Sequence, residues 1–221
     1  MTVLDESPAS SKPVERVFRN NAELWHRLGE IPLDRIVVDP KPGSVDYGFY
    51  AKIDGRWNDM LVELVDGTLI EKPMGRKESR IGMRVGRLLG NAIDAIDLGG
   101  KLSGEAGMLR MAGKNVRVPD VAWTAPEDVT DPEETEAAPQ EAPTLAVEVI
   151  SPDNTAKEMA IKLSEYFDSG CRLAWLLYPE TKTVHVYTSA EERRELGPED
   201  QLDAGDLIPN FSVKVATLFD V

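Results

Sequence analysis

The run Leu145-Ala146-Val147-Glu148-Val149-Ile150 predicts a strand that is apolar on both faces, with one exception. Alternation at period two sets Leu145, Val147 and Val149 against Ala146, Glu148 and Ile150, so the strand reads as interior. A carboxylate in such a place needs a partner, a proton or a bound cation, because burying an unpaired charge is strongly unfavourable.

Two further acids interrupt apolar runs in the same way. Asp120 lies in Val116-Arg117-Val118-Pro119-Asp120-Val121-Ala122-Trp123, and Glu63 lies in Met60-Leu61-Val62-Glu63-Leu64-Val65, just before the hairpin turn that Asp66-Gly67 predicts. Three carboxylates on three strands suit a hard cation such as magnesium or manganese (Mg or Mn), which prefers oxygen ligands. Each acid taken singly is equally compatible with a strand end or a structural ion pair.

The remaining elements follow from periodicity and punctuation. Asn20–Leu28 reads as a short helix stopped by Gly29, and Ile31–Gly43 as an extended segment. Between Arg76 and Asp97 the apolar residues Ile81, Val85, Leu88, Leu89, Ala92 and Ile96 recur at helical spacing, and Gly99-Gly100 ends the helix. Arg80, Arg84 and Arg87 share one face of it, either solvated or set to meet nucleic-acid phosphates. Lys101–Met111 and Val116–Trp123 read as strands. Thr155 and Glu158 have the spacing of a capping box at the head of a helix that stops at Gly170. Leu173–Tyr178 and Thr183–Tyr187 form a second hairpin, and Leu207–Phe219 a closing strand and apolar segment.

The 221 residues suffice for one core, and no repeat or linker divides them. Residues 1–15 are expected as a flexible arm and 16–221 as a single domain. The single cysteine, Cys171, excludes an internal disulfide and suits a cytoplasmic protein. The net charge of −14 argues against a broad basic surface, although half of it falls in the seven acids of residues 126–143. That stretch, with four prolines and no Lys or Arg, is expected as a mobile acidic loop. His26 and His185 have no companion at ligand or triad spacing, and Ser151 lacks the glycines of a nucleophile elbow.

Glu-Leu-Val-Asp-Gly at 63–67, Pro119-Asp120, Glu148-Val149-Ile150-Ser151-Pro152, Lys162, Tyr166 and Gly170 before a Trp-containing strand form an ordered set. With the closing Gly205-Asp206-Leu207-Ile208-Pro209-Asn210-Phe211, it resembles the Uma-two family, a branch of the PD-(D/E)xK restriction-endonuclease-like nucleases, from Met60 to Phe219. The resemblance implies an α/β (α+β) fold with a central mixed sheet flanked by helices. It implies that Glu63, Asp120 and Glu148 converge at one sheet end around a divalent metal, with the Val149 carbonyl as an extra ligand. Ile150 stands where the superfamily's usual lysine would be, and the resemblance assigns that work to Lys162 on the following helix. Lys162 is also placed to pair with Glu158, one turn earlier. Tyr166 and Glu78 are accessory candidates, Glu78 standing where many family members carry a histidine. Tyr178-Pro179 stands where many carry Asp-Pro.

These readings point to a metal-dependent endonuclease acting on phosphodiester bonds, most simply in DNA, and by analogy with nucleases that cut both strands to a homodimer. The alternatives are an inactive nuclease-fold interaction module and a phosphodiesterase acting on RNA or another nucleotide.

Overall fold

In the computed structural model, which describes residues 18–73, 75–131, 133 and 135–221, the chain opens with α1 (Asn21–Arg27) and α2 (Tyr47–Lys52). It continues through β1 (Arg56–Trp57), β2 (Met60–Val65) and β3 (Thr68–Glu71) into a long helix, α3 (Arg76–Ala95). Next come β4 (Lys101–Ser103), β5 (Leu109–Arg110), β6 (Val116–Arg117) and β7 (Val121–Thr124). Past the acidic stretch lie β8 (Leu145–Val149), α4 (Ala156–Asp168), β9 (Leu173–Tyr178), β10 (Thr183–Tyr187) and β11 (Arg193–Leu196). A two-stranded ribbon, β12 (Gln201–Asp203) with β13 (Ser212–Lys214), closes the chain. The arm expected over residues 1–15 lies outside the described residues.

The Glu148 strand is interior, as its two apolar faces require. It sits in a six-stranded sheet of order β11-β10-β9-β8-β7-β4, in which β8 and β9 run parallel, joined by α4, and all other neighbours are antiparallel. Leu145, Val147 and Val149 pack with Ile81, Val85, Leu89 and Ile93 of α3. Ala146 and Ile150 point the other way, toward Met159, Leu163 and Tyr166 of α4. Helices therefore cover both faces, and each large aliphatic side chain buried there contributes about 1.5–3 kcal/mol.

A second sheet, β1-β2-β6-β5 with β3 also on β2, stands beside the first. Two segments expected as single strands divide between the sheets. In Lys101–Met111 the chain turns at Gly104–Gly107, where a Cβ on Gly107 would come within 2.3 Å of Ser103 Oγ, so β4 joins the large sheet and β5 the small one. In Val116–Trp123 the break falls at Pro119, which has no N–H for a ladder. Asp120 is thereby placed where the chain steps from one sheet to the other.

The acidic stretch is tied down at several described positions. Ala138 and Glu141 are buried, Lys101 donates to the Asp131 carbonyl at 2.7 Å, and Arg172 pairs with Glu127 and Asp128. Among the described residues no helix is long and apolar enough to cross a membrane.

Candidate active site

Asp120 and Glu148 are neighbours because β7 and β8 pair antiparallel, Val121 opposite Val147. The Asp120 N–H bonds the Val147 carbonyl at 3.0 Å. One step further the same register sets Pro119 opposite Val149, and the Val149 N–H is taken up by Asp120 Oδ2 at 2.6 Å. The carboxylate thus stands in for a ladder acceptor, which fixes one of its oxygens and leaves Oδ1 to face inward. Val149, expected to offer its carbonyl, meets Asp120 through its amide.

The hairpin delivers two charges to the same place. Its register pairs Glu63 with Ile70, and the Lys72 N–H bonds the Leu61 carbonyl at 2.9 Å, so Glu63 and Lys72 project from one face. Lys72 Nζ lies 2.9 Å from Asp120 Oδ1 and 3.6 Å from Glu148 Oε2, and donates to the Val118 carbonyl. On its other side Glu148 accepts from the Tyr166 hydroxyl at 2.6 Å and from Lys162 at 3.0 Å, both through Oε1. Lys162 also lies 2.9 Å from Glu63 Oε1, which accepts from the Val118 N–H, while Arg117 holds Glu63 Oε2 at 2.9 Å and reaches Glu165 at 2.6 Å. The result is a line of alternating charge, Arg117, Glu63, Lys162, Glu148, Lys72 and Asp120.

The three predicted carboxylates do meet, but through two ammonium groups. Among the described residues no three acid, histidine or cysteine side chains come together as a metal-binding group. Burial is the strongest influence on Glu63 and raises its pKa, yet Lys162, Arg117 and Lys72 together outweigh it and hold the carboxyl below the usual range. Lys72 is the mirror case. Burial favours the neutral amine, but Asp120, Glu148 and Glu63 overcome it and keep the ammonium charged beyond the ordinary lysine range. Burial and the adjacent Glu148 and Glu63 push the Tyr166 phenol well up, so it remains a donor.

Asp120 is the member of this line most open to solvent, its side chain 14% exposed against 7% for Glu148 and less for the others. It lines a groove of about 220 Å³ bordered by Ser79, Gly82, Met83 and Gly86 of α3. Arg80 and Arg87 are exposed and Arg84 is half-buried, all three outside that border. Glu78 opens onto a different cleft, of about 470 Å³, with Ile150, Ser151, Asn154 and Tyr178. Glu158, the alternative partner for Lys162, is taken by Arg35 at 2.7 and 3.1 Å.

Sequence reasoning missed Lys72 and Arg117. Both were accessible to the argument that found the acids, since Arg117 stands between Val116 and Val118 and Lys72 follows the apolar Leu69-Ile70 on the hairpin.

Residues 50–216 match the Uma2 family, described as putative restriction endonucleases. The chain belongs to the Uma2 family. The crystal structure of a putative nuclease belonging to DUF820, from Anabaena variabilis ATCC 29413, is similar to it with a TM-score of 0.64 and 20% sequence identity. That likeness covers 74% of this chain and 92% of the other, and it shows the shared fold. No curated protein matches the chain. Membership in a family of restriction-endonuclease type supports a nuclease function.

Proposed function

We propose that this Uma2 protein is a divalent-metal-dependent endonuclease that hydrolyses phosphodiester bonds in DNA. The observation that carries the reading is the trio of oxygens around Lys72 Nζ: Asp120 Oδ1, Glu148 Oε2 and the Val118 carbonyl. Carboxylate and carbonyl oxygens are the donors that Mg or Mn prefers, and here they already surround a positive charge. The donor set fits such an ion once the ammonium has moved. Glu63 fits less well, because its two oxygens are committed to Arg117, the Val118 N–H and Lys162.

Asp120, Glu148 and the Val118 carbonyl would hold the ion, which when bound supplies Lewis-acid stabilisation of the phosphate and a lowered pKa for the attacking water. The chain's own groups prepare that place. Tyr166 and Lys162 fix Glu148 through Oε1 and leave Oε2 free to face Asp120. The Val149 N–H does the same for Asp120 through Oδ2. Lys162, expected to orient water, is on this reading a positioning residue that bridges Glu63 and Glu148. Glu63 and Arg117 support it from behind.

A second reading, an interaction module without activity, has an observation in its favour. Lys72, Lys162 and Arg117 already neutralise the three predicted acids, so the cluster is complete as an internal ion network. Nicking of supercoiled plasmid in Mg or Mn separates the two. The nuclease reading expects nicking by the wild type and none by a folded Glu148→Gln variant. Intact plasmid, single-stranded DNA and RNA across both metals would favour the module.

A further inference from the structure

We propose that Lys72 is a tethered cation that holds the Asp120–Glu148 pair closed to divalent metal until a phosphodiester draws its ammonium away. The inference rests on the nuclease reading of the same site and adds to it how the site is loaded.

The argument begins with oxygens. Asp120 Oδ2 is engaged by the Val149 N–H, and Glu148 Oε1 by both Tyr166 and Lys162. What remains to these two carboxylates is Asp120 Oδ1 and Glu148 Oε2, and Lys72 Nζ lies against both, with the Val118 carbonyl as a third acceptor. The ammonium therefore uses the same oxygens a metal ion would use. Two cations cannot share them, since an ammonium beside a divalent ion adds repulsion where each already satisfies the acids. Lys72 is thus a competitor built into the chain, present at every metal concentration.

The competitor can also leave. The Lys72 backbone is fixed to Leu61, but its ammonium is a point charge on a four-carbon stem with rotatable donors. Its third acidic neighbour, Glu63, is already paired with Arg117 and Lys162. Asp120 lies at the open edge of the cluster, on the groove beside α3, so a phosphodiester entering there brings negative charge up to the carboxylate whose Oδ1 lies 2.9 Å from Lys72 Nζ. With the ammonium on a phosphate oxygen, the two carboxylate oxygens become available. A phosphodiester and a metal ion then favour the same position of Lys72, and ligands that favour one state strengthen each other's binding reciprocally.

The test reads metal binding rather than cleavage. Mn²⁺ is titrated into the full chain and followed by the loss of its free paramagnetic signal, with and without a short phosphorothioate DNA oligonucleotide, the uptake by DNA alone being subtracted. The wild type is expected to bind Mn²⁺ about tenfold or more tightly with the oligonucleotide, the size of ordinary coupling between sites. Lys72→Met, folded by circular dichroism, is expected to bind Mn²⁺ that tightly without DNA and to gain nothing further from it. The wild-type arm stands even if the variant does not fold. Mn²⁺ affinity unchanged by the oligonucleotide, no Mn²⁺ binding at all, or a folded Lys72→Met that binds no better than wild type would each overturn the inference. Plasmid nicked without this coupling would overturn it alone and leave the nuclease reading in place.

Discussion

Arg117 carries two acids at once, Glu63 and Glu165, from a position with 2% exposure. Both neighbours keep it charged against the strong opposing effect of burial. Truncating it leaves Glu63 buried with less compensation, and breaking one side of a buried pair destabilises by about 3–5 kcal/mol. Arg117→Met is therefore expected to show that loss in urea unfolding, and an unchanged midpoint would mean that Lys162 alone suffices for Glu63. Tyr166→Phe is a gentler probe. It removes one charge-assisted hydrogen bond to Glu148, worth about 1.5–3 kcal/mol, while Lys162 remains in place. The variant should stay folded with lowered stability, and its nicking of plasmid should fall because Glu148 is held less firmly. Nicking at the wild-type rate would show that Lys162 alone positions the carboxylate. Glu148 and Asp120 could be singled out in the sequence because an acid inside an apolar strand contradicts its surroundings. Lys72 and Arg117 contradict theirs as sharply, but a metal-ligand pattern is made of anions alone and carries no mark of the cations that answer them.

At the level of elements, the start of α4 shows how a local signal is completed by a distant one. Thr155 accepts from the Glu158 N–H and Glu158 reaches back, the capping box that the spacing predicts. Its threonine hydroxyl also donates to the Gly29 carbonyl just past α1 at 2.5 Å, a contact across 126 positions that no spacing rule contains. Gly29 has φ +85°, and a Cβ there would stand 2.5 Å from Glu158 Cα. Gly29→Ala should thus destabilise by more than about 1 kcal/mol, through strain and through separation of α1 from α4. A melting temperature equal to wild type would mean the two helices part freely. The same junction sets an acid limit on stability. Burial works most strongly against charge on Glu158, yet Arg35, Lys162 and Asn154 prevail and hold its pKa below the ordinary value. A lowered folded pKa stabilises above the unfolded carboxyl range, near pH 4.3, and that contribution is lost as pH falls through the folded value. Denaturant midpoints measured from neutral pH downward should fall through this window in the wild type. The fall should be shallower in Glu158→Gln. Identical acid limbs would assign the effect to other carboxylates.

For the whole molecule, the hairpin, α3 and α4 follow from period and punctuation, and the mixed sheet from the family resemblance. The second sheet does not. It joins β2 to β6 through one register pair, Leu64 with Val116, across 52 positions, and depends on where Gly104, Gly107 and Pro119 let the chain leave one sheet for the other. Charge has a similar two-level character. Among the described residues the buried charged side chains are four bases, Arg35, Lys72, Arg117 and Lys162, and four acids, Glu63, Glu141, Glu148 and Glu158. The described interior is balanced, so the excess of 39 acids over 25 bases lies outside it. Such an excess of negative charge opposes broad electrostatic attachment to a duplex. The chain's attraction to DNA has to come from a few local contacts and from the cation site itself. Few phosphate contacts mean few released counterions. The logarithm of DNA affinity against the logarithm of KCl concentration is therefore expected to fall with a shallow slope, about −1 to −3, where six to ten contacts would give roughly −5 to −9. Fluorescence anisotropy of a labelled duplex with Ca²⁺ in place of Mg²⁺ reads this slope directly. A steep slope would mean that more basic side chains meet phosphates than this expectation allows, with Arg76, Lys77, Arg80 and Arg87 of α3 the first to be replaced.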